Sequence, residues 1–181
     1  MTCIVGLADV GGVYIGGDSA GVSGDDLTVR ADSKVFQNGN FLMGFTTSFR
    51  MGQLLRYAFH PPLQDPDLDA FAYLATVFVD GVRECLKAGG YATRHDEQES
   101  AGRFLVGYRS RLYAIYSDYQ VAQSVDDWMA VGCGAAYALG ALFATQGEPP
   151  KQRVLKALQA AERHSVGVRA PFRILTMLES P

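Results

Sequence analysis

Short apolar runs broken by glycine open the chain. Cys3 to Ala8 and Gly12 to Gly17 read as two strands, with Asp9-Val10-Gly11-Gly12 as the turn between them. Ala31 to Gln37 and Phe41 to Phe45 form a second predicted hairpin through Asn38-Gly39-Asn40. Asn-Gly is the strongest short hairpin signal, because both turn residues tolerate positive φ. The period then changes. Met51, Leu54, Leu55 and Phe59 recur at helical spacing within Ser48 to Phe59, and Ser48 is placed to cap that helix. His60-Pro61-Pro62 ends it, and Leu63 to Asp67 is a loop. A longer helix starts at Asp67 or Asp69, with Phe71, Leu74, Ala75, Phe78, Val82 and Leu86 as its apolar stripe. Gly89-Gly90 stops it.

Tyr91 to Ser100 is polar and charged and is expected to be a mobile loop. Arg103 to Tyr108 and Arg111 to Tyr116 predict a third hairpin about Arg109-Ser110. Ala130 to Gly132 ends another strand, and Gly134 to Thr145 reads as a helix of small residues. After Pro149-Pro150, Lys151 to Ser165 predicts a last helix with Val154, Leu155, Leu158 and Ala161 on one side. Phe172 to Leu178 is a final strand. Hairpins and helix pairs are segregated, which predicts two antiparallel sheets covered by helices rather than βαβ units.

Composition narrows the class. With 181 residues, a single domain over 1–181 is expected, large enough for a proper core. Apolar residues make up 48%, charged residues 19%, and the net charge is −3. Nothing basic points to nucleic acid or to a membrane surface. The longest apolar run, Met129 to Ala144, is glycine-interrupted and too short to span a bilayer. The N-terminus shows no secretory signal. Cys3, Cys85 and Cys133 are widely spaced and odd in number, which suits a reducing cytoplasm. His60, His95 and His164 have no metal-ligand spacing, so no metal or organic cofactor is expected.

Thr2 carries the first candidate chemistry. If Met1 is removed, its hydroxyl and α-amine lie on adjacent atoms: a nucleophile with a built-in base, the amine having an ordinary pKa of about 7.7–8.0. Taken alone, Thr2 reads as an ordinary strand residue behind a start methionine. Asp18 ends the second strand and Lys34 lies in an apolar one; singly, Asp18 caps a turn and Lys34 snorkels from an edge. Glu162 and Ser165 share a helix face, and Glu162 either needs a partner on its apolar stripe or pairs with Arg163 or Arg169. Gly132-Cys133-Gly134 joins a strand to a helix N-terminus, suited to an anion or simply to a tight turn.

Together these positions resemble the proteasome β-subunit family, in particular the short HslV-type peptidases, which are N-terminal-nucleophile hydrolases. Thr2-Cys3-Ile4-Val5-Gly6 is similar to the family's catalytic start, Asp18 to its Gly-Asp-Ser-like turn, and Lys34 to its lysine before Val-Phe. Gly132-Cys133-Gly134 before Tyr137-Ala138-Leu139 resembles its Gly-Ser-Gly turn, and Glu162 with Ser165 its late Asp and Ser. Three positions depart from the pattern. Cys133 stands for serine, Glu162 for aspartate, and Phe45-Thr46-Thr47 lies where the family places an Ala-Gly backbone donor. A β-branched Thr47 is expected to resist positive φ.

The resemblance implies an α+β fold, a four-layer αββα sandwich with two antiparallel sheets between helix layers. It implies threonine peptidase chemistry in which Thr2 attacks. Lys34 and Asp18 tune the amine, Cys133, Glu162 and Ser165 orient the N-terminus, and the backbone near Thr47, with Thr46 and Phe45, binds the oxyanion and substrate. It further implies homo-oligomeric rings, peptide or unfolded-protein substrates, and an ATPase unfoldase as partner. An inactive proteasome-like scaffold and a small-molecule amidase on the same fold are the alternatives.

Overall fold

The computed structural model describes residues 1–91, 93–95 and 98–178. Strands β1 (Cys3–Asp9), β2 (Gly12–Gly17), β3 (Ala20–Ser23), β4 (Asp26–Val29), β5 (Val35–Asn38) and β6 (Phe41–Phe45) come first. Helix α1 (Phe49–Tyr57) follows. A continuous helical stretch then comprises α2 (Ala70–Tyr73), a π-helical turn (Leu74–Phe78) and α3 (Val79–Ala88). Strands β7 (Thr93–His95), β8 (Gln98–Ser100), β9 (Phe104–Tyr108), β10 (Arg111–Ile115), β11 (Val121–Gln123) and β12 (Trp128–Gly132) lead to α4 (Ala135–Ala144) and α5 (Pro150–His164). Strand β13 (Arg173–Leu178) closes the described chain.

Two antiparallel sheets, ordered β12-β1-β2-β13 and β11-β10-β9-β6-β5, pack face to face. Strand β1 shows why. Its residues are apolar on both faces, so both must be covered. Cys3, Val5 and Leu7 meet Ala138, Leu142, Val154, Leu158 and Ala161 of α4 and α5. Ile4 and Ala8 turn the other way, toward Val35, Leu42, Leu105 and Leu112 of the second sheet. That sheet's far face is covered by α1 to α3 through Phe41, Met43, Phe45, Met51, Leu55, Tyr73 and Phe78. Burial of each such large side chain contributes about 1.5–3 kcal/mol before entropy. The result is the four-layer αββα order, an α+β architecture. No described helix is long and apolar enough to cross a membrane.

Caps and turns follow local chemistry. Ser48 accepts from the Arg50 and Met51 N–H groups, and Asp69 from those of Phe71 and Ala72, so the second helix starts after Asp69. The expected stripe on that helix is partly displaced. Phe71 and Ala75 are exposed, and Tyr73 and Val79 are buried in their place. The π turn inserts an extra residue per turn and rotates the apolar face. On α5, Leu155 is exposed and Ala157 takes the buried position. Strand β5 begins at Val35 rather than Ala31, because Ser33 Oγ accepts the Val35 N–H and turns the chain there. The β3–β4 hairpin has no counterpart in the sequence reading, since β4 is exposed throughout and carries no burial pattern. Residues 91–100 were expected to form a loop. Thr93–His95 and Gln98–Ser100 instead pair as strands, and positions 92, 96 and 97 lie outside the described residues.

Candidate active site

Each sheet delivers part of one buried cluster. The pairing of Ile4 with Gly17 sets Asp18, just past β2, across from Cys3, whose carbonyl accepts the Asp18 N–H at 3.3 Å. Thr2 lies at the start of the same ladder. Lys34 comes from the other sheet, immediately before β5, where its carbonyl accepts the Phe45 N–H at 3.0 Å. Thr2, Asp18 and Lys34 are only 2%, 2% and 3% exposed.

Thr2 Oγ1 donates to Asp18 Oδ1 at 2.5 Å and accepts from Lys34 Nζ. Lys34 Nζ also donates to Asp18 Oδ1 at 2.8 Å. The three polar groups thus close a triangle. Asp18 is further held by backbone N–H groups: Cys3 at 3.0 Å on Oδ1, Ala20 at 2.9 Å and Arg169 at 3.2 Å on Oδ2. Five donors thus satisfy the two oxygens of this buried carboxylate. Burial lowers the Lys34 pKa, while the Asp18 charge and hydrogen bond oppose that shift. The neighbouring Cys3 thiol is pushed up to about 12, foremost by burial and then by the Asp18 charge. Cys3 is therefore an inert packing residue.

Thr2 and Lys34 line a small cleft of about 50 Å³ together with Met1, Val22, Phe45, Thr46, Thr47, Ser48 and Phe49. Phe45 and Phe49 meet edge to face at 5.6 Å, and the Arg30 guanidinium lies 3.7 Å over the Phe49 ring. Thr47 adopts φ 73, contrary to the expectation that a β-branched side chain would resist it. The left-handed backbone is held from outside: Thr47 Oγ1 accepts the Arg103 N–H at 3.3 Å and lies 3.4 Å from Thr46 Oγ1. The Thr47 N–H itself donates to no group among the described residues, and Thr47 lines the cleft.

The strand-to-helix turn lies against the Thr2 backbone. Gly132 has φ 104, and a Cβ there would come within 2.2 Å of the Thr2 carbonyl oxygen, so no other residue fits. Gly134 N–H and Cys133 Sγ both approach that carbonyl, each at 3.4 Å, so the turn's donors serve the Thr2 carbonyl rather than a free anion. Cys133 Sγ also contacts Ser165 Oγ at 3.2 Å. Glu162 is placed differently from the sequence expectation. Its Oε1 accepts the Ala170 N–H at 2.7 Å, rather than reaching Thr2 or an arginine. Met1 is in place, so the Thr2 nitrogen is an amide; the Met1 side chain abuts Gly167 and lines the cleft. Among the described residues no group of three His, Cys, Asp or Glu side chains could hold a metal.

The structure thus brings Thr2, Asp18 and Lys34 into direct contact, sets Thr46, Thr47 and Phe45 on the cleft wall, and gathers Cys133 and Ser165 beside the Thr2 backbone. Sequence reasoning missed the Arg169 N–H and the Arg30–Phe49 wall. The first depends on a loop closure that no local pattern reports. The second was signalled only by an aromatic next to the Ser48 cap.

No protein-family profile matches the chain, and no curated protein matches it by sequence. Solved structures do match by fold. BPH of Thiobacillus denitrificans, at 21% identity, superposes with a TM-score of 0.82 over 99% of each chain. The same protein in complex with epoxomicin gives 0.82 at 20% identity, over 99% of this chain and all of that one. Eukaryotic HslV from Trypanosoma brucei gives 0.70 at 15% identity, over 98% of this chain and 99% of that one. Anbu from Yersinia bercovieri gives 0.67 at 16% identity, over 97% and 81%. The chain has the proteasome-like fold of these structures.

Proposed function

We propose that this protein is a threonine peptidase subunit of a proteasome-like particle, with Thr2 as nucleophile once Met1 has been removed. The buried Thr2–Asp18–Lys34 triangle, opening on a cleft, carries the reading. A threonine hydroxyl held by a carboxylate and an ammonium at 2–3% exposure is costly to desolvate and has no packing rationale. It becomes useful when the hydroxyl must act. Thr2 Oγ attacks a peptide carbonyl carbon while its proton passes to the freed Thr2 α-amine. The Lys34 ammonium stabilises the developing alkoxide and disfavours a second positive charge on the amine. The Thr47 N–H, unengaged at the cleft, receives the oxyanion. Collapse breaks the C–N bond and the departing amine takes the proton. Water then attacks the Thr2 ester with the same α-amine as base, releasing the acid and restoring the hydroxyl.

The substrate class fitted is a peptide or an unfolded protein segment, and an ATPase unfoldase is the matching partner. Homo-oligomeric rings are supported by α4, which has no charged side chain and leaves Tyr137, Leu139 and Phe143 exposed at 45%, 39% and 70%. The test is intact mass spectrometry of an active preparation with and without an epoxyketone inhibitor. Subunits lacking Met1, with the adduct on Thr2, are expected, and Thr2→Ala should give the same assembly without adduct or hydrolysis. Peptide hydrolysis by subunits that all retain Met1 would refute the mechanism. Native sedimentation at many times the subunit mass is expected, and a monomer would favour a small-molecule amidase.

A further inference from the structure

Two consecutive amides in the loop after α5 are held by two different carboxylates. Arg169 N–H donates to Asp18 Oδ2 at 3.2 Å, and Ala170 N–H donates to Glu162 Oε1 at 2.7 Å. Glu162 belongs to the last turn of α5, so its carboxylate is fixed to the helix that packs under β1. The same loop is stitched to the strand end at Ser19: Ser19 N–H donates to the Arg169 carbonyl at 2.8 Å, and Ser19 Oγ donates to the Pro171 carbonyl at 2.6 Å. Val168 anchors it in the core at 0% exposure.

We infer that Glu162 is a positioning residue that acts on Asp18 through this loop, and not on the Thr2 amine. Resting on the peptidase reading above, the relay runs from the Glu162 carboxylate to the Ala170 amide, along one peptide unit to the Arg169 amide, and so to Asp18. Asp18 in turn fixes Lys34 and the Thr2 hydroxyl. The Ala170 contact needs an acceptor oxygen at the Glu162 position and does not need its charge. A glutamine side chain supplies that oxygen on a stem of the same length. A carboxylate acting directly on an ammonium at Thr2 would instead depend on the charge. The two roles therefore separate under one conservative substitution.

The experiment compares wild type, Glu162→Gln and Glu162→Ala by peptide hydrolysis and by amide hydrogen exchange over 165–171. Glu162→Gln should keep kcat and KM within about twofold of wild type. Glu162→Ala should lower kcat about tenfold with KM unchanged, short of the ~100-fold that a 1 Å misplacement of a reacting group can cost. Protection of the Arg169 and Ala170 amides should survive in Glu162→Gln and be lost in Glu162→Ala. Should Glu162→Ala fail to assemble, Glu162→Met, which keeps length and loses the acceptor, takes its place. Equal loss of kcat in the glutamine and alanine variants overturns the relay in favour of a charge role. Unchanged kcat in both, or unchanged protection in Glu162→Ala, also overturns it. If wild type neither hydrolyses peptides nor labels at Thr2, the peptidase reading fails, while the exchange pattern still decides whether Glu162 holds the loop.

Discussion

Replacing Lys34 with methionine separates its electrostatic work from its packing. The Lys34 and Asp18 side chains are 2% and 0% exposed and their charged atoms are 2.8 Å apart. Methionine keeps the stem volume and deletes only the ammonium. Breaking one partner out of a buried pair costs about 3–5 kcal/mol, chiefly because the other charge is stranded. Asp18 is not stranded here: the Thr2 hydroxyl and the Cys3, Ala20 and Arg169 amides all still donate to it. The loss should therefore fall near the lower end, about 3 kcal/mol, within the ~5–15 kcal/mol stability of an ordinary domain. Lys34→Met should fold and assemble.

Its chemistry should suffer more. The ammonium is bonded to the Thr2 oxygen on which the proposed mechanism develops alkoxide charge. Removing one preorganised donor of that kind costs about 100- to 1000-fold in kcat, or roughly 3–4 kcal/mol. KM should change little, because Lys34 is beneath Thr2 and is already engaged by Asp18. The assay is steady-state hydrolysis of a fluorogenic peptide with the epoxyketone labelling rate at Thr2. Both should fall together while sedimentation is unchanged. The pH dependence gives an independent check. Folding lowers the Lys34 pKa, so its contribution to stability is complete only above the unfolded value near 10.5 and is lost as pH falls through the folded value. Wild type should thus gain stability relative to Lys34→Met as pH rises toward 10.5. A Lys34→Met protein that assembles and retains kcat within threefold of wild type, roughly 0.6 kcal/mol, would sink the proposed role.

Three further outcomes follow from neighbouring residues. Cys133→Ser should be tolerated or raise kcat, since serine is a better donor beside the Thr2 carbonyl and Ser165 Oγ; a large loss in an assembled protein would give the thiol its own role. Thr47→Gly should keep kcat within about threefold and leave thermal stability equal or higher, because it relieves about 1–2 kcal/mol of left-handed strain and retains the backbone N–H; a hundredfold loss would place the threonine side chain in the reaction. Cys3→Ala should reduce alkaline destabilisation between pH 9 and 11, because the buried thiol, held at about 12, keeps its proton while the unfolded chain ionises near 9; identical pH–stability curves for the two proteins would contradict that.

Two antiparallel sheets covered by helices were legible because hairpins and helix pairs are segregated along the chain, and the four-layer order followed from the resemblance. Thr2, Asp18 and Lys34 were legible as one set only through the resemblance to the proteasome β-subunit family; singly, Asp18 reads as a turn cap and Lys34 as an edge lysine. Thr47 was only half legible. Its position followed from the end of β6, but its positive φ depends on the Arg103 amide, which arrives from 56 residues away. The displaced stripe near Phe71 fails for a related reason: a helical pattern assumes one residue angle throughout, and the π turn breaks it. Glu162 was singled out for the right property, a carboxylate on an apolar stripe that needs a partner. Its partner could not be read, because Ala170 N–H reaches it only when the loop folds back over Asp18.

That dependence on closure bears on how the Thr2–Asp18–Lys34 triangle is assembled. Thr2 and Asp18 come from the first sheet, Lys34 from the second, and the third amide on Asp18 from the segment joining α5 to β13. None of these pairings is local: Thr2 and Lys34 are 32 residues apart, and Asp18 and Arg169 are 151 apart. A partly folded chain with one sheet formed has Asp18 without Lys34, and so has neither the ammonium nor the desolvation that distinguish this threonine from any other. The triangle is in this sense a tertiary property. It requires the two sheets to pack through Ile4, Val35 and Leu42 and the α5 helix to dock through Val154, Leu158 and Ala161. The last loop must then close so that Glu162 and Asp18 each take one of two adjacent amides.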